Sequence, residues 1–177
     1  MASSSSSSKK KTIRLRSSDG ESFEVLEERI GAASPFIKVL LDEALADGEI
    51  ALPKVTGGVL SRVLEYVNRH FDPAEAPPPS SGWGSPLADS GDRRRRSDDL
   101  ADFDCDFISV KIDTIIDLIE AANYLAIEGL LDLGCQAVAE KLRGRTVDQI
   151  RETFHVVNDY TKEEEEEVRA ENSWAFE

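Results

Sequence analysis

The sequence contains few residues of the kinds that build metal centres or covalent cross-links. Its 177 residues include only two cysteines, Cys105 and Cys135, and two histidines, His70 and His155. Neither cysteine belongs to a Cys-x-x-Cys pair, so no local spacing matches a zinc site. A disulfide framework is equally unexpected, which favours a reducing compartment. We therefore expect no metal ion and no cofactor.

Long apolar runs are also missing. No stretch approaches the ~20 residues that a membrane-spanning helix needs, so we expect no membrane partner. Residues 1–11 are a serine run followed by three lysines. They lack the apolar stretch of a secretion signal and predict a disordered leader.

Positive charge is scarce, with 21 basic against 35 acidic residues and a net charge of −14. A chain of this charge is repelled by nucleic acid and by anionic lipid, so we expect neither as a partner. Arg93 to Arg96 could bind nucleic acid or act as a nuclear address. Asp92, Asp98 and Asp99 partly neutralise this run and no stacking aromatics accompany it, which favours a solvated charge run.

Catalytic patterns are absent too. The sequence contains neither a nucleophile elbow nor a phosphate-cradling glycine loop. Cys105 stands between two aspartates, whose negative charges disfavour the reactive thiolate form. Cys135 lies on an apolar stripe, and this position predicts that its side chain is buried as a small hydrophobic group. Glu163 to Glu167 cannot converge on one cation, because adjacent helical positions diverge by ~100°. We expect no enzyme.

The amino-terminal third alternates between strand and helix signals. Thr12–Arg16 and Ser22–Val25 each alternate apolar and polar residues and predict a β-hairpin around an Asp-Gly turn. Ser34-Pro35 suits the start of a helix, because serine favours the N-cap and proline the first helical position. This helix is predicted to extend to Leu45, and Asp47-Gly48 is its stop signal. A short strand is predicted at Ile50–Leu52.

The remainder is predicted to be mostly helical. Thr56 caps a helix that ends near His70, and the polar, proline-rich stretch 72–106 predicts a disordered insertion. Helices are expected at Thr114–Ala126 and Glu128–Arg143, the second stopped by Gly144. Thr146 with Gln149, and Thr161 with Glu164, match the capping box of two further helices. The fold class is therefore α+β.

Trp174 stands just beyond the last predicted helix, near the end of the sequence. An unanchored tryptophan there would expose a large apolar surface. It either packs back on its own domain or anchors a partner, and the physical argument leaves these two alternatives equal.

Several short segments together resemble the Skp adaptor family of SCF (Skp, cullin, F-box) ubiquitin ligases, and the closing Trp-Ala-Phe-Glu is similar to plant members. The resemblance covers almost all of the chain from Thr12, apart from the insertion. The segments that carry it are Ser17–Val25, Leu52–Thr56, Ala121–Leu125, Leu130–Leu133, Thr153-Phe154, Asn158-Asp159 and Glu171–Trp174.

The resemblance implies a BTB/POZ-type domain, residues 12–126, followed by C-terminal F-box-binding helices, residues 127–177. It implies a non-catalytic adaptor that bridges a cullin scaffold, and indirectly its RING subunit, to F-box substrate receptors for ubiquitination and proteasomal degradation. It also implies a location in nucleus and cytoplasm and no obligate homo-oligomer.

Carried over by motif, the resemblance places cullin binding on Asn123 and Tyr124. It places F-box binding on Leu131, Cys135, Val138, Ile150, Phe154, Asn158, Asp159 and Trp174.

Two alternatives stay open within the same fold. Glu120 stands where the family usually has an apolar residue, so the chain could capture F-box proteins without engaging cullin. An elongin-C-like or self-associating POZ module is the other alternative, although elongin-C-like proteins lack the extension 146–177.

Overall fold

The computed structural model describes residues 11–43, 49–71 and 90–175, and these fall into two units. The first unit ends at Lys141 and the second begins at Leu142. The leader 1–10, the end of the helix predicted to reach Leu45 and the first part of the predicted insertion lie outside the described residues.

The first unit contains a three-stranded sheet. The strands are β1 (Thr12–Arg16), β2 (Ser22–Leu26) and β3 (Glu49–Ala51), in the order β2-β1-β3. β1 pairs antiparallel with β2 and parallel with β3. Alternate side chains on one face are buried, namely Ile13, Leu15, Val25 and Ile50. The predicted hairpin and the predicted short strand are therefore confirmed.

Helices make up most of the described part of the first unit. They are α1 (Glu27–Ala33), α2 (Pro35–Glu43), α3 (Gly57–His70), α4 (Ser90–Ile108), α5 (Ile112–Leu125) and α6 (Glu128–Leu142). The helices predicted to start at Ser34-Pro35, after Thr56, near Thr114 and at Glu128 are confirmed, and Gly144 has the positive φ of +71° expected of a helix stop. The short helix α1 was not predicted.

Helix α4 corrects the prediction of a disordered insertion at 72–106, which is wrong for residues 90–106. Two aromatic side chains attach this helix to α3: Phe107 is buried and Phe103 packs against the core. Arg62 of α3 donates a hydrogen bond of 2.7 Å to the Phe107 carbonyl and lies 5.0 Å from the centroid of its ring. His70 Nε2 lies 2.8 Å from Asp104 Oδ1. The prediction of disorder rested on the polar average composition of residues 72–106, which does not indicate these few specific contacts.

The start of α3 is capped by a residue distant in sequence. Thr56 occupies the N-cap position, but its side chain makes no capping hydrogen bond, so the predicted capping role is wrong. Asp19 of the hairpin turn accepts from the Gly57 N–H instead, at 3.0 and 3.1 Å. Hydrogen bonds from the Ser17 hydroxyl and the Gly57 N–H lower the pKa of Asp19. The carboxylate thereby ties the hairpin to α3.

The core of the first unit gathers apolar side chains from the sheet and from the helices. Its largest fully buried members include Leu15, Ile30, Ile37, Leu52, Leu60, Ile115, Leu118, Leu125, Ile127 and Leu130. α5 and α6 approach closely at Gly134, where an added Cβ would lie 2.5 Å from Ile119 Cγ1. Glycine is therefore required there by the space between the helices.

The second unit consists of α7 (Val147–Thr153), α8 (Lys162–Glu171) and a 3₁₀ turn, Ser173–Ala175. Both predicted capping boxes are confirmed. Hydrogen bonds from the Thr161 backbone and hydroxyl lower the pKa of the Glu164 carboxyl. Glu165 forms ion pairs with Arg151 of α7 and Arg169 of α8, at 4.0 and 3.6 Å. None of the described side chains in this unit is buried.

Candidate partner-binding surfaces

The Tyr124 ring is the centre of an aromatic and cationic surface on the first unit. Tyr124 is half-buried, and its ring centroid lies 5.3 Å from that of Phe36, with the planes inclined at 54°. The Lys54 Nζ atom lies 5.7 Å from the same centroid. Asn123 is the exposed neighbour of Tyr124 on α5. We call Phe36, Lys54, Asn123 and Tyr124 the Tyr124 surface.

Buried Ser34 positions this surface. The residue is 0% exposed and joins α1 to α2. Its hydroxyl oxygen accepts from the Ile37 N–H at 3.1 Å, and its O–H donates to the carbonyl of Leu125. The same side chain therefore caps the start of α2 and holds it against the end of α5. This arrangement brings Phe36 beside Tyr124.

Lys54 is held by a turn that is anchored to the hairpin. The Val55 N–H donates to the Leu52 carbonyl at 3.3 Å, and the Ser18 N–H donates to the Val55 carbonyl at 2.8 Å. Leu52 and Val55 are buried on either side of Lys54, whose own side chain is exposed. The backbone that presents this lysine is thus fixed by its buried neighbours.

Glu120 is the charged residue that set this sequence apart from the family pattern. Its side chain is exposed and lies one helical turn before Tyr124 on α5. A carboxylate in this position remains solvated in the free chain, so it imposes no desolvation cost on the fold.

Helix α6 carries three of the residues predicted to bind an F-box. Leu131 and Val138 are half-buried, and Cys135 is exposed. The expectation that Cys135 is buried is therefore wrong. The buried side of α6 is centred on Leu130 and Gly134, the latter against α5, and Cys135 points about 100° away from Gly134. Leu131, Cys135 and Val138 share a face at helical spacing.

The second unit carries the other predicted F-box residues. Ile150 and Phe154 lie one turn apart at α7 and are half-buried, whereas Asn158 and Asp159 are exposed. Trp174 is 77% exposed, so the described neighbours in its own unit do not cover it.

Further apolar side chains of this unit are exposed and were not singled out from the sequence, among them three in the connection between its two helices. Val156, Val157 and Tyr160 are 58%, 82% and 51% exposed. They lie between α7 and α8, where no helical periodicity marks them. The adjoining apolar pair Val156-Val157 in a polar connection was the available signal.

His70 and Tyr66 form a largely enclosed polar cluster. Their rings stack at 4.0 Å, and His70 pairs with Asp104, the partner that sequence reasoning did not find. Burial, followed by the charges of Asp104 and Asp132, raises the pKa of Tyr66 to about 12. These groups lie within the packing of α3 and α4. They therefore serve that packing.

No group of three or more His, Cys, Asp or Glu side chains is placed to hold a metal ion in residues 11–43, 49–71 and 90–175. In the same ranges, every helix is too short or too polar to be a candidate membrane span.

Comparison with protein families identifies both ends of the chain. Residues 11–72 match the model of the Skp1 family, tetramerisation domain, a POZ domain, and residues 128–175 match the Skp1 family, dimerisation domain. The chain belongs to the Skp1 family. This membership confirms the predicted α+β class with a POZ-type domain.

Similarity to individual Skp1 family members extends over nearly the whole chain. SKP1-like protein 4 of Arabidopsis thaliana is 48% identical over 169 residues, which cover 95% of this chain and 98% of the relative. SKP1-like protein 1 of Oryza sativa subsp. japonica is 45% identical, covering 95% and 96%. A Skp1-related protein of Caenorhabditis elegans is 37% identical, covering 96% and 94%. The chain is thus a plant-like member of the Skp1 family.

Proposed function

We propose that the chain is the non-catalytic adaptor of an SCF-type ubiquitin ligase. It bridges a cullin scaffold to F-box substrate receptors and so directs proteins to ubiquitination and proteasomal degradation. Membership of the Skp1 family supports the adaptor role. The observation that carries the proposal is a second unit whose described residues include no buried side chain but several exposed apolar ones.

In this proposal the F-box contacts residues of α6 in the first unit and, separately, residues of the second unit. Large apolar side chains that lie open to solvent are unfavourable in a free chain, and aromatic residues of this kind act as anchors in interfaces. Trp174 and Tyr160 have this character, and Ile150 and Phe154 add half-buried apolar area. An F-box that covers these residues would supply the apolar neighbours that the described part of the unit lacks.

The cullin surface in this proposal is the Tyr124 surface on the first unit. It combines a rigidly supported aromatic ring with an exposed amide and an exposed cation, a composition that suits a specific protein contact. The RING subunit associates indirectly, through the cullin. We place the adaptor in the nucleus and cytoplasm, where its partners would act.

The decisive experiment measures binding of this chain, co-expressed with an F-box domain, to the amino-terminal half of a cullin. We expect a stable ternary complex with each interface burying on the order of 1,200–2,000 Å² or more. Capture of the F-box domain without cullin binding would show a member that sequesters F-box proteins. Capture of neither would refute the adaptor role, and a micromolar homodimer would support the self-associating alternative.

A further inference from the structure

Lys54 brings a positive charge to the Tyr124 ring in a chain that is otherwise strongly acidic. Its ammonium lies 5.7 Å from the ring centroid, while the whole chain has a net charge of −14. None of the ion pairs found among the described residues involves Lys54. Its cationic group is therefore directed at an aromatic face and at solvent.

The lysine is held in place by its backbone. The buried side chains of Leu52 and Val55 flank it, and the hydrogen bond from Ser18 fixes the turn to the hairpin. A cation held in this way loses little backbone freedom when a partner binds, so it is suited to recognition.

Covering Tyr124 has a direct consequence for this cation. A partner that buries the ring also removes water from an ammonium only 5.7 Å from the ring centroid. An ammonium that loses water without gaining an acceptor is strongly unfavourable. A carboxylate is the acceptor that compensates best, through a charge-assisted hydrogen bond. A broadly acidic partner surface is disfavoured by exposed Glu120 one turn away on α5.

We propose that Lys54 recognises a single carboxylate on the cullin and thereby helps to determine which cullins this chain accepts. The inference rests on the proposed function, because it takes the Tyr124 surface as the cullin-binding face. Phe36 and Tyr124 provide apolar contact, and Lys54 adds a charge requirement that a cullin without the matching carboxylate does not meet.

The test uses the chain in complex with an F-box domain and titrates it with the amino-terminal half of a cullin at low and high salt. Lys54→Met keeps the apolar stem and removes the charge, and we expect roughly 10-fold weaker binding with a smaller dependence on salt. Lys54→Arg keeps the charge and is expected to stay within about 3-fold of the unaltered chain. Lys38→Met is the matched control, an exposed lysine two positions beyond Phe36 and so on another side of α2.

F-box capture by each variant verifies its fold. Equal affinity and salt dependence for Lys54→Met and Lys38→Met would overturn the inference and leave the adaptor role intact. Failure of the unaltered chain to bind cullin would overturn both. Restoration of binding to Lys54→Glu by a carboxylate-to-lysine change in the cullin would identify the partner carboxylate and support the inference directly.

Discussion

The Ser34 hydroxyl donates a hydrogen bond to the carbonyl oxygen of Leu125, linking the start of α2 to the end of α5. Because this carbonyl immediately follows Tyr124 in the chain, one buried serine supports both the fold and the candidate cullin surface. The same hydroxyl accepts from the Ile37 N–H. Two backbone groups therefore depend on this side chain.

Replacing Ser34 with alanine should lower the free energy of unfolding by ~1–3 kcal/mol, since a buried carbonyl and a helix N-terminus both lose their partner. Urea unfolding followed by circular dichroism measures this change. Cullin binding should weaken as well, because Phe36 and Tyr124 lose their fixed relation. Ser61→Ala, at an exposed position of α3, is the control. Equal stability of the two variants would show that the Ser34 bridge contributes nothing.

Tyr124→Ala and Trp174→Ala should have opposite effects on the two partners. Each removes an aromatic anchor, which in a well-packed interface costs ~2 kcal/mol or more, about a 30-fold loss of affinity. We expect Tyr124→Ala to weaken cullin binding and spare the F-box, and Trp174→Ala to do the reverse. Titration calorimetry with each partner measures both effects, and each variant serves as the other's control. Equal losses toward both partners would rule out two distinct surfaces.

Gly134 and Gly58 form a second matched pair, this time for stability. Gly134→Ala places a Cβ 2.5 Å from Ile119 Cγ1, and such overpacking costs ~1–3 kcal/mol. Gly58→Ala meets nothing within 4 Å and should leave stability unchanged or raise it by up to ~1 kcal/mol, through better helix propensity. Urea unfolding compares the two variants, because a shift of the midpoint at an unchanged m-value reports a change in the free energy of unfolding. A Gly134→Ala midpoint equal to that of the unaltered chain would mean that α5 and α6 separate without cost.

Asp19 predicts a specific sensitivity to acid. Its pKa lies below the ordinary value of 3.8, because Ser17 and the Gly57 N–H stabilise the carboxylate. A lowered folded pKa means that the stability is present above the unfolded pKa and is lost as pH falls through the folded pKa. Asp19→Asn should therefore lose less stability than the unaltered chain between pH 5 and about pH 2.

Unfolding measured as a function of pH tests this expectation. Asp99→Asn, at an exposed position of α4, is the control and should follow the unaltered chain. If Asp19→Asn and Asp99→Asn lose stability identically in acid, the turn carboxylate does not stabilise α3.

Local signals in the sequence were sufficient for the elements whose stabilising contacts are also local. The hairpin follows from strand alternation around an Asp-Gly turn, and both capping boxes join residues three positions apart. Helix α4 could not be predicted in this way, because Phe103, Asp104 and Phe107 act on residues of α3 that are distant in sequence. The replacement of Thr56 by Asp19 as the cap of α3 has the same origin.

The same distinction between local and long-range contacts applies to the candidate surfaces. Tyr124 and Trp174 could be chosen from the sequence as partner anchors, but the approach of Lys54 to the Tyr124 ring depends on a turn more than sixty residues away. The exposure of Cys135 depends on which side of α6 packs against α5. Periodicity finds an apolar stripe, and only the tertiary packing decides how much of that stripe is covered.

The second unit, without a buried side chain among its described residues, keeps much of its apolar area hydrated in the free chain. Covering that area releases water, which gives association a negative heat-capacity change. Its enthalpy would then become more favourable on warming, while its entropy becomes less so. Binding of an F-box receptor would thus show the negative heat-capacity change that also accompanies the burial of apolar surface in folding.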